Sequence, residues 1–142
     1  MSLDDVKKQF VEQVKLRAYD DRYVDKVEER EILQIALQQG VTVDSARAAL
    51  AQVCEKEGYV LESKVLQDVK ELLQIFNEGD GKIDEKEFND AVAKCKLGTQ
   101  GKRTDIQCKR MVLEIIDENA YKRKTGMFSN WYARAKKEVN MT

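Results

Sequence analysis

The sequence predicts an all-α fold, a compact bundle of about seven helices. The chain of 142 residues contains no proline, and 36% of its residues are charged while 42% are hydrophobic. Apolar residues recur at helical spacing within segments roughly 12 to 18 residues long. No segment alternates polar and apolar residues for long enough to need a β-sheet. A chain of this length can bury a core in one domain without metal or disulfide cross-links.

The first three helices are predicted from a capping residue in front of each. Ser2, Asp25 and Thr42 are good N-cap residues, and the first two are followed three residues later by an acid, as in a capping box. Gly40 and Gly58 end the second and third helices. The inward-facing residues are Val6, Phe10 and Val14 on the first helix, which runs from Leu3 to about Ala18, then Ile32, Leu33, Ala36 and Leu37, and then Ala46, Leu50, Val53 and Cys54.

Four further helices follow, with a connector between the fifth and the sixth. Asp84 caps the fifth helix, and two glycines with few apolar residues mark Leu97–Thr104 as the connector. The predicted helices are Leu61–Phe76, Asp84–Lys94, Asp105 to the Tyr121 region, and a last one that begins near Ser129. Tyr23–Val24 and Lys82–Ile83 are expected to form at most a β-bridge.

Two stretches of the chain repeat one pattern. Asp20–Glu28 and Gly79–Glu87 align without a gap as acid, two residues, branched aliphatic, Asp, two residues, Glu. In this alignment Asp84 corresponds to Asp25. The repeat predicts two copies of a helix-loop-helix unit related by a pseudo-twofold axis. We expect the two acidic turns to be adjacent and to pair through Val24 and Ile83.

The second turn, residues 77–87, has the composition of a cation-binding loop. Hard cations such as Ca2+ need about six to eight oxygen ligands, and an EF-hand loop has Gly at its sixth position, an aliphatic residue near its centre and Glu at its twelfth. With Glu87 as the twelfth residue, Gly81 and Ile83 fall at the expected places. The first position falls on Phe76, which offers no side-chain oxygen. The loop therefore resembles an EF-hand loop with one residue deleted.

The cations expected in such a loop are Ca2+ or Mg2+, held by oxygen atoms. The predicted ligands are Asn77, Glu78, Asp80, the Lys82 carbonyl, Asp84 and Glu87. In the first turn Arg22 replaces the glycine, so no independent cation site is expected there. The first-turn acids expected to lend carboxylates to a cluster shared by both turns are Asp21, Asp25 and Glu28.

A purely structural role for the same acids stays open. Asp25 with Glu28, and Asp84 with Glu87, have the spacing of capping boxes. In a capping box both side chains bind backbone N–H groups at the start of a helix, where negative charge also suits the helix dipole. That role needs no metal.

The motif DGKIDEKEF, echoed by DRYVDKVEEREI, resembles the acidic turn and following helix of TerB-like domains. This family is named for the tellurite resistance protein TerB and includes the N-terminal domain of DjlA-type J-domain proteins. The resemblance covers about Asp5–Lys96 and implies a helical, stress-associated, non-catalytic module with a metal-linked pair of turns and a protein partner. The chain lacks the HPD tripeptide of J-domains. We expect an acidic TerB-like body, residues 1–96, with a basic helical section, residues 97–142, packed on the same domain.

Charge is unevenly distributed along the chain. Residues 1–94 contain 14 Lys or Arg and 21 Asp or Glu, which gives −7, and residues 95–142 contain 11 and 5, which gives +6; the sum is the net −1. Basic residues bind phosphates and aromatic residues stack on bases, so the second section suits nucleic acid or an anionic membrane surface. The residues predicted to bind such a partner are Lys122, Arg123, Lys124, Trp131, Arg134, Lys136 and Lys137, with Phe128 and Tyr132 beside them.

Two alternatives for the basic section stay open. Its lysines also fit a solvated helix face with Trp131 anchored in the core. The section could equally dock on the acidic part of the chain, in which case salt would act on folding.

The composition excludes several classes of function. Histidine is absent, which removes imidazole bases, histidine metal ligands and histidine pH switches. Cys54, Cys95 and Cys108 form no CxxC pair, so neither a disulfide framework nor a thiolate zinc site is predicted. We therefore expect a protein that is not an enzyme. The N-terminus has no export signal and no stretch reaches roughly 18 apolar residues, so a cytoplasmic protein without a transmembrane segment is expected.

Overall fold

The computed structural model describes residues 2–125 and 130–141. Within these ranges the chain forms seven α-helices and two short β-strands, which confirms the predicted all-α fold. The elements are α1 Leu3–Ala18, β1 Tyr23–Val24, α2 Lys26–Gln38, α3 Val43–Glu57, β2 Val60–Leu61, α4 Glu62–Asp80, α5 Glu85–Gly98, α6 Asp105–Glu118 and α7 Trp131–Glu138. Among the described helices, none is both long and apolar enough to cross a membrane.

The caps predicted for the first three helices are present. Side chains of Ser2, Asp25 and Thr42 accept hydrogen bonds from backbone N–H groups in the first turns of α1, α2 and α3. Gly58 ends α3 in the left-handed region, with φ of 77°. Each of these caps supplies a partner for a backbone group that the helix itself leaves unpaired. These boundaries are therefore encoded locally.

Helix α4 runs further than the sequence predicts. Its predicted end was Phe76, but it continues to Asp80, because Gly79 stays helical and the chain turns only at Gly81, with φ of 77°. A glycine inside a helix costs about 1 kcal/mol relative to alanine, which packing along the rest of a long helix can offset. Composition alone does not distinguish the glycine that continues a helix from the one that ends it.

Helices α5 and α7 also differ from their predicted bounds. Helix α5 continues past Lys94 to Gly98, and Gln100 and Gly101 make the left-handed turn that follows, with φ of 53° and 74°. Helix α7 begins at Trp131. The start predicted near Ser129 and the aromatic residue Phe128 lie outside the described residues.

Contacts divide the chain into two units, residues 1–64 and 65–142. In the first unit α1 packs against α2 and α3. Leu37 was predicted to face the core but is exposed, because it lies beyond the stripe of α2 that ends at Ala36. The fully buried residues of this core include Val6, Phe10, Val14, Val24, Ile32, Ala36 and Leu50.

In the second unit α6 packs against both α5 and α7. The indole ring of Trp131 lies 5.2 Å from the ring of Phe88, centroid to centroid. The core is formed by residues on both sides of position 96, the boundary predicted between an acidic body and a basic section. Its buried residues include Val69, Leu73, Ile83, Phe88, Val92, Val112, Leu113, Ile116 and Trp131.

Each unit contains one short parallel pairing between its acidic turn and the segment that leaves its third helix. In the first unit β1 pairs with β2. In the second unit Ile83 bridges Arg123: the N–H of Ile83 donates to the carbonyl of Lys122 at 2.8 Å, and the N–H of Lys124 donates to the carbonyl of Ile83 at 2.7 Å. The predicted pairing of Val24 with Ile83 is therefore wrong. Each aliphatic residue pairs inside its own unit, with backbone that the third helix brings back to the turn.

The repeat is longer than the predicted helical hairpin. Helices α3 and α6 both lead into a left-handed residue, Gly58 and Ala120, with φ of 77° and 52°. A tyrosine follows each, and the N–H groups of Tyr59 and Tyr121 donate to the carbonyl five residues earlier, at 2.8 and 3.1 Å. The connector after α5 is longer than the one after α2, so the tyrosines match only when a gap is allowed. An ungapped alignment therefore finds the hairpin alone.

The two left-handed positions give opposite stability predictions. We expect Gly58→Ala to lower the free energy of unfolding by about 1 kcal/mol, because a side chain disfavours this conformation. Ala120→Gly should raise it by about 0.5 kcal/mol, since relief of the same strain slightly outweighs the entropy cost of glycine. Urea denaturation measures both. Shifts of the same sign would contradict the structural equivalence.

Candidate functional site

The acids of the second turn bind backbone donors. The Oδ1 atom of Asp84 accepts the N–H of Glu87 at 2.7 Å, and the Oε1 atom of Glu87 accepts the N–H of Asp84 at 3.1 Å. The Oδ1 atom of Asp80 accepts the N–H of Lys82 at 3.1 Å, which closes the turn around Gly81. These contacts are the capping box and the tight turn that the structural interpretation describes.

The first part of the predicted cation loop is helical. Asn77, Glu78 and Asp80 belong to α4, so the loop that should have carried the first ligands begins only at Gly81. Successive residues of an α-helix point about 100° apart, so these side chains spread around the helix axis. They therefore do not form the start of an EF-hand-like ring with Asp84 and Glu87.

The first turn repeats the geometry of the second. Asp25 and Glu28 form a reciprocal capping box, and Asp21 accepts a backbone N–H two residues later at 3.1 Å. Burial raises the pKa of the Glu28 carboxyl, and the negative charges of Asp25 and Asp21 act in the same direction. Arg22 takes the left-handed position that glycine holds in the second turn, and its guanidinium donates to the carbonyl of Glu57 at 2.8 Å.

Within residues 2–125 and 130–141, no three or more Asp, Glu or Cys side chains are placed together so as to hold a metal ion. The observed contacts of the turn acids are those of helix caps. Coordination of Ca2+ or Mg2+ by these residues stays a prediction without support from their geometry.

Several residues of the predicted anion-binding set serve the second unit itself. Trp131 is only 3% exposed, and its indole N–H donates to a backbone carbonyl at 2.9 Å. Arg134 pairs with Glu85 at 3.5 Å, and Lys136 pairs with Asp117 at 2.7 Å. These side chains are a core anchor and two ion pairs, so they are poor candidates for binding a partner.

Four other cations form a surface that we name the basic ladder. Its members are Lys82, Lys122, Arg123 and Lys124. All four are exposed, and none has a carboxylate within ion-pairing distance in the described part of the chain. The backbone bridge at Ile83 holds the last three beside the turn that carries the first. Lys137 on α7 is also exposed and without a carboxylate partner among the described residues.

A cleft of about 410 Å³ opens at the basic ladder. Its floor includes Tyr132, whose ring lies under the guanidinium of Arg123 at 4.2 Å and near the ammonium of Lys136 at 4.9 Å. Such placement of cations over an aromatic face is attractive and holds the charges in position. The residues that line the cleft are Lys82, Lys122, Arg123, Thr125, Asn130, Tyr132 and Ala133.

The first unit has no such charge at the equivalent ladder positions. Aligning the sequences of the turns on their capping acids, and those of the later segments on Tyr59 and Tyr121, matches the four members of the basic ladder to residues that are all buried. In the order used above, these residues are Tyr23, Val60, Leu61 and Glu62. The hydroxyl of Tyr23 donates to the carboxylate of Glu62. One copy of the ladder is thus buried and neutral or acidic, and the other is exposed and cationic.

Comparison of the chain with protein families, with curated proteins and with solved structures finds no match. The candidate site is therefore inferred from the geometry of this structure alone. The sequence analysis predicted Lys122, Arg123 and Lys124 as binding residues and placed Tyr132 beside them without including it in the binding set, and it assigned Lys82 to cation coordination through its carbonyl. The full repeat, with its longer connector, was the signal that could have grouped Lys82 with the others.

The caps can be distinguished from metal ligands by substitution at Asp84. We expect Asp84→Ala to lower the free energy of unfolding by about 1 kcal/mol, while Asp84→Asn leaves it nearly unchanged, because asparagine caps as well as aspartate. Urea denaturation with EDTA and with millimolar Ca2+ should give the same values. A stability gain of wild-type protein in Ca2+ that Asp84→Asn abolishes would show coordination instead.

The cysteines should be inert in the folded protein. All three are buried, and burial raises the pKa of the Cys54 thiol to about 12, with the charge of Glu29 acting in the same direction. The thiol of Cys54 therefore stays protonated and unreactive through neutral pH. A thiol reagent at pH 8 should label none of the three cysteines in native protein and all of them in denaturant. Rapid native labelling of Cys54 would contradict this.

Proposed function

We propose that this protein is a non-catalytic binding module that binds nucleic acid through the basic ladder. One observation carries the proposal: four exposed cations without carboxylate partners in the described part of the chain are gathered where the first unit has buried residues. The non-catalytic character agrees with the absence of histidine and with the buried cysteines. The proposal keeps the interaction-module character implied by the resemblance to TerB-like domains and moves the binding surface from the acidic turns to the basic ladder.

The local charge balance supports an anionic partner. Elsewhere in the second unit several basic residues lie beside acids, among them Lys109, which contacts both Asp105 at 3.1 Å and Glu138 at 2.9 Å. The basic ladder holds like charges on two adjacent segments, which repel one another unless an anion is present. A phosphate chain supplies such anions at regular spacing.

The surroundings of the cations favour nucleic acid over a membrane surface. Binding at a bilayer interface needs apolar or aromatic side chains that can insert beside the cations. Among the described residues, the neighbouring aromatic side chains are packed on the core: Trp131 and Tyr132 are 3% and 8% exposed, and Tyr121 is half-buried. The same burial keeps the rings of Trp131 and Tyr132 from stacking on bases. We therefore propose binding to the phosphate backbone without sequence preference.

The proposal is tested by charge reversal on the basic ladder. We expect Lys122→Glu/Lys124→Glu to abolish retention of a labelled duplex at low salt. For wild-type protein, the logarithm of the binding constant should fall with the logarithm of salt concentration with a slope of about −3 to −4, since each contacted phosphate contributes about −0.9. Fluorescence anisotropy over a salt series measures both.

A matched control separates the effect of the basic ladder on binding from the effect of net charge. Lys94→Glu/Lys102→Glu changes the net charge by the same amount at two exposed lysines that do not line the cleft. This variant should keep most of the affinity. Equal losses in both variants, or no binding by wild-type protein at low salt, would refute the proposal.

A further inference from the structure

We infer that the cleft at the basic ladder is a site for a terminal phosphate group, a phosphomonoester dianion. The inference rests on the proposed function, because the end of a nucleic acid strand is the source of phosphate to which we assign it. It goes further by separating two kinds of contact. Lys124, the one member of the basic ladder that does not line the cleft, binds the strand backbone, and the cleft accepts one compact anion.

The lining of the cleft supplies the donors that such a dianion needs. Lys82, Lys122 and Arg123 contribute three positive groups, and none of them has a carboxylate partner in the described part of the chain. Thr125 and Asn130 add polar side chains at the same cleft. A phosphomonoester carries about −1.5 to −2 charges at pH 7 and three terminal oxygens. An internal phosphodiester carries a single charge, so it balances these three positive groups less completely.

Tyr132 provides a second, independent observation. Its side chain is more than nine-tenths buried, and its hydroxyl is buried with no hydrogen-bond partner within the described residues. A buried hydroxyl without a partner destabilises the free protein. The charged groups of Arg123 and Lys136 both lie over the ring. The hydroxyl oxygen is itself closed to solvent, so these side chains have to shift before a phosphate oxygen in the cleft can accept its hydrogen bond.

The first unit shows what has changed in the second. There the carboxylate of Glu62, at the position equivalent to Lys124, accepts a hydrogen bond from the hydroxyl of Tyr23. The equivalent residues in the second unit are Lys124 and Lys82, so two cations stand where the first unit has a carboxylate and its hydroxyl donor. An external anion could take the place that the carboxylate of Glu62 has in the first unit.

The inference is tested with inorganic phosphate and with two forms of one oligonucleotide. Titration of the full-length protein with phosphate, followed by NMR, should give saturable shifts at the amides of Lys122, Arg123 and Asn130. An oligonucleotide with a 5′-phosphate should bind at least about fivefold more tightly than the same oligonucleotide with a 5′-hydroxyl. Inorganic phosphate should remove that difference by competition.

Tyr132→Phe tests the hydroxyl without removing the ring. We expect affinity for inorganic phosphate to fall about tenfold, because a hydrogen bond to a charged group is lost. The melting temperature of the free variant should equal or exceed that of wild-type protein, which rules out unfolding as the cause. Tyr19→Phe, at an exposed tyrosine outside the cleft, is the matched control and should change neither value.

The outcomes separate this inference from the proposed function. Equal binding of the two oligonucleotides, with no phosphate-induced shifts at the cleft, overturns the inference and leaves nucleic-acid binding in place. Phosphate shifts that Tyr132→Phe weakens, without binding of either oligonucleotide, support a phosphate site and overturn the proposed function. Phosphate affinity that Tyr132→Phe leaves unchanged overturns the inference as stated.

Discussion

The candidate site depends on two backbone hydrogen bonds at one buried residue. Ile83 is fully buried, and its N–H and carbonyl are bonded to the backbone of Lys122 and Lys124. Buried backbone groups need such partners, so the pairing is an obligatory part of the fold. The cations are therefore positioned by the main chain and by an apolar neighbour. Their side chains remain available for contacts outside the protein.

The acidic turn contributes to this arrangement through its shape. Asp80 and Asp84 bind backbone N–H groups and fix the path of the chain on either side of Ile83. Lys82 lies between them, so the same contacts set where its side chain emerges. An acidic motif that resembles a cation loop is thus observed to fix the backbone on either side of an exposed lysine.

Local signals in the sequence predicted much of the fold, while non-local ones were missed. The caps at Ser2, Asp25 and Asp84 were predictable because each involves residues three positions apart. The backbone partner of Ile83 follows only after α5 and α6, and no periodic pattern specifies a pairing of one residue. The basic surface was overestimated for the same reason. Arg134, on the last helix, meets an acid in the first turn of α5, which no local pattern shows.

The difference in burial between the basic ladder and the equivalent positions of the first unit affects which substitutions the chain can tolerate. After duplication of a segment, one copy can retain the packing that folding requires while the other copy accumulates substitutions that add new side-chain chemistry. In the first unit Val60 and Leu61 are buried among neighbouring residues, so the size and polarity of the side chains at these positions are constrained. At the equivalent positions of the second unit Lys122 and Arg123 face solvent, so core packing does not constrain their side chains. Substitutions at Lys122 and Arg123 should therefore cost less folding free energy than substitutions at Val60 and Leu61.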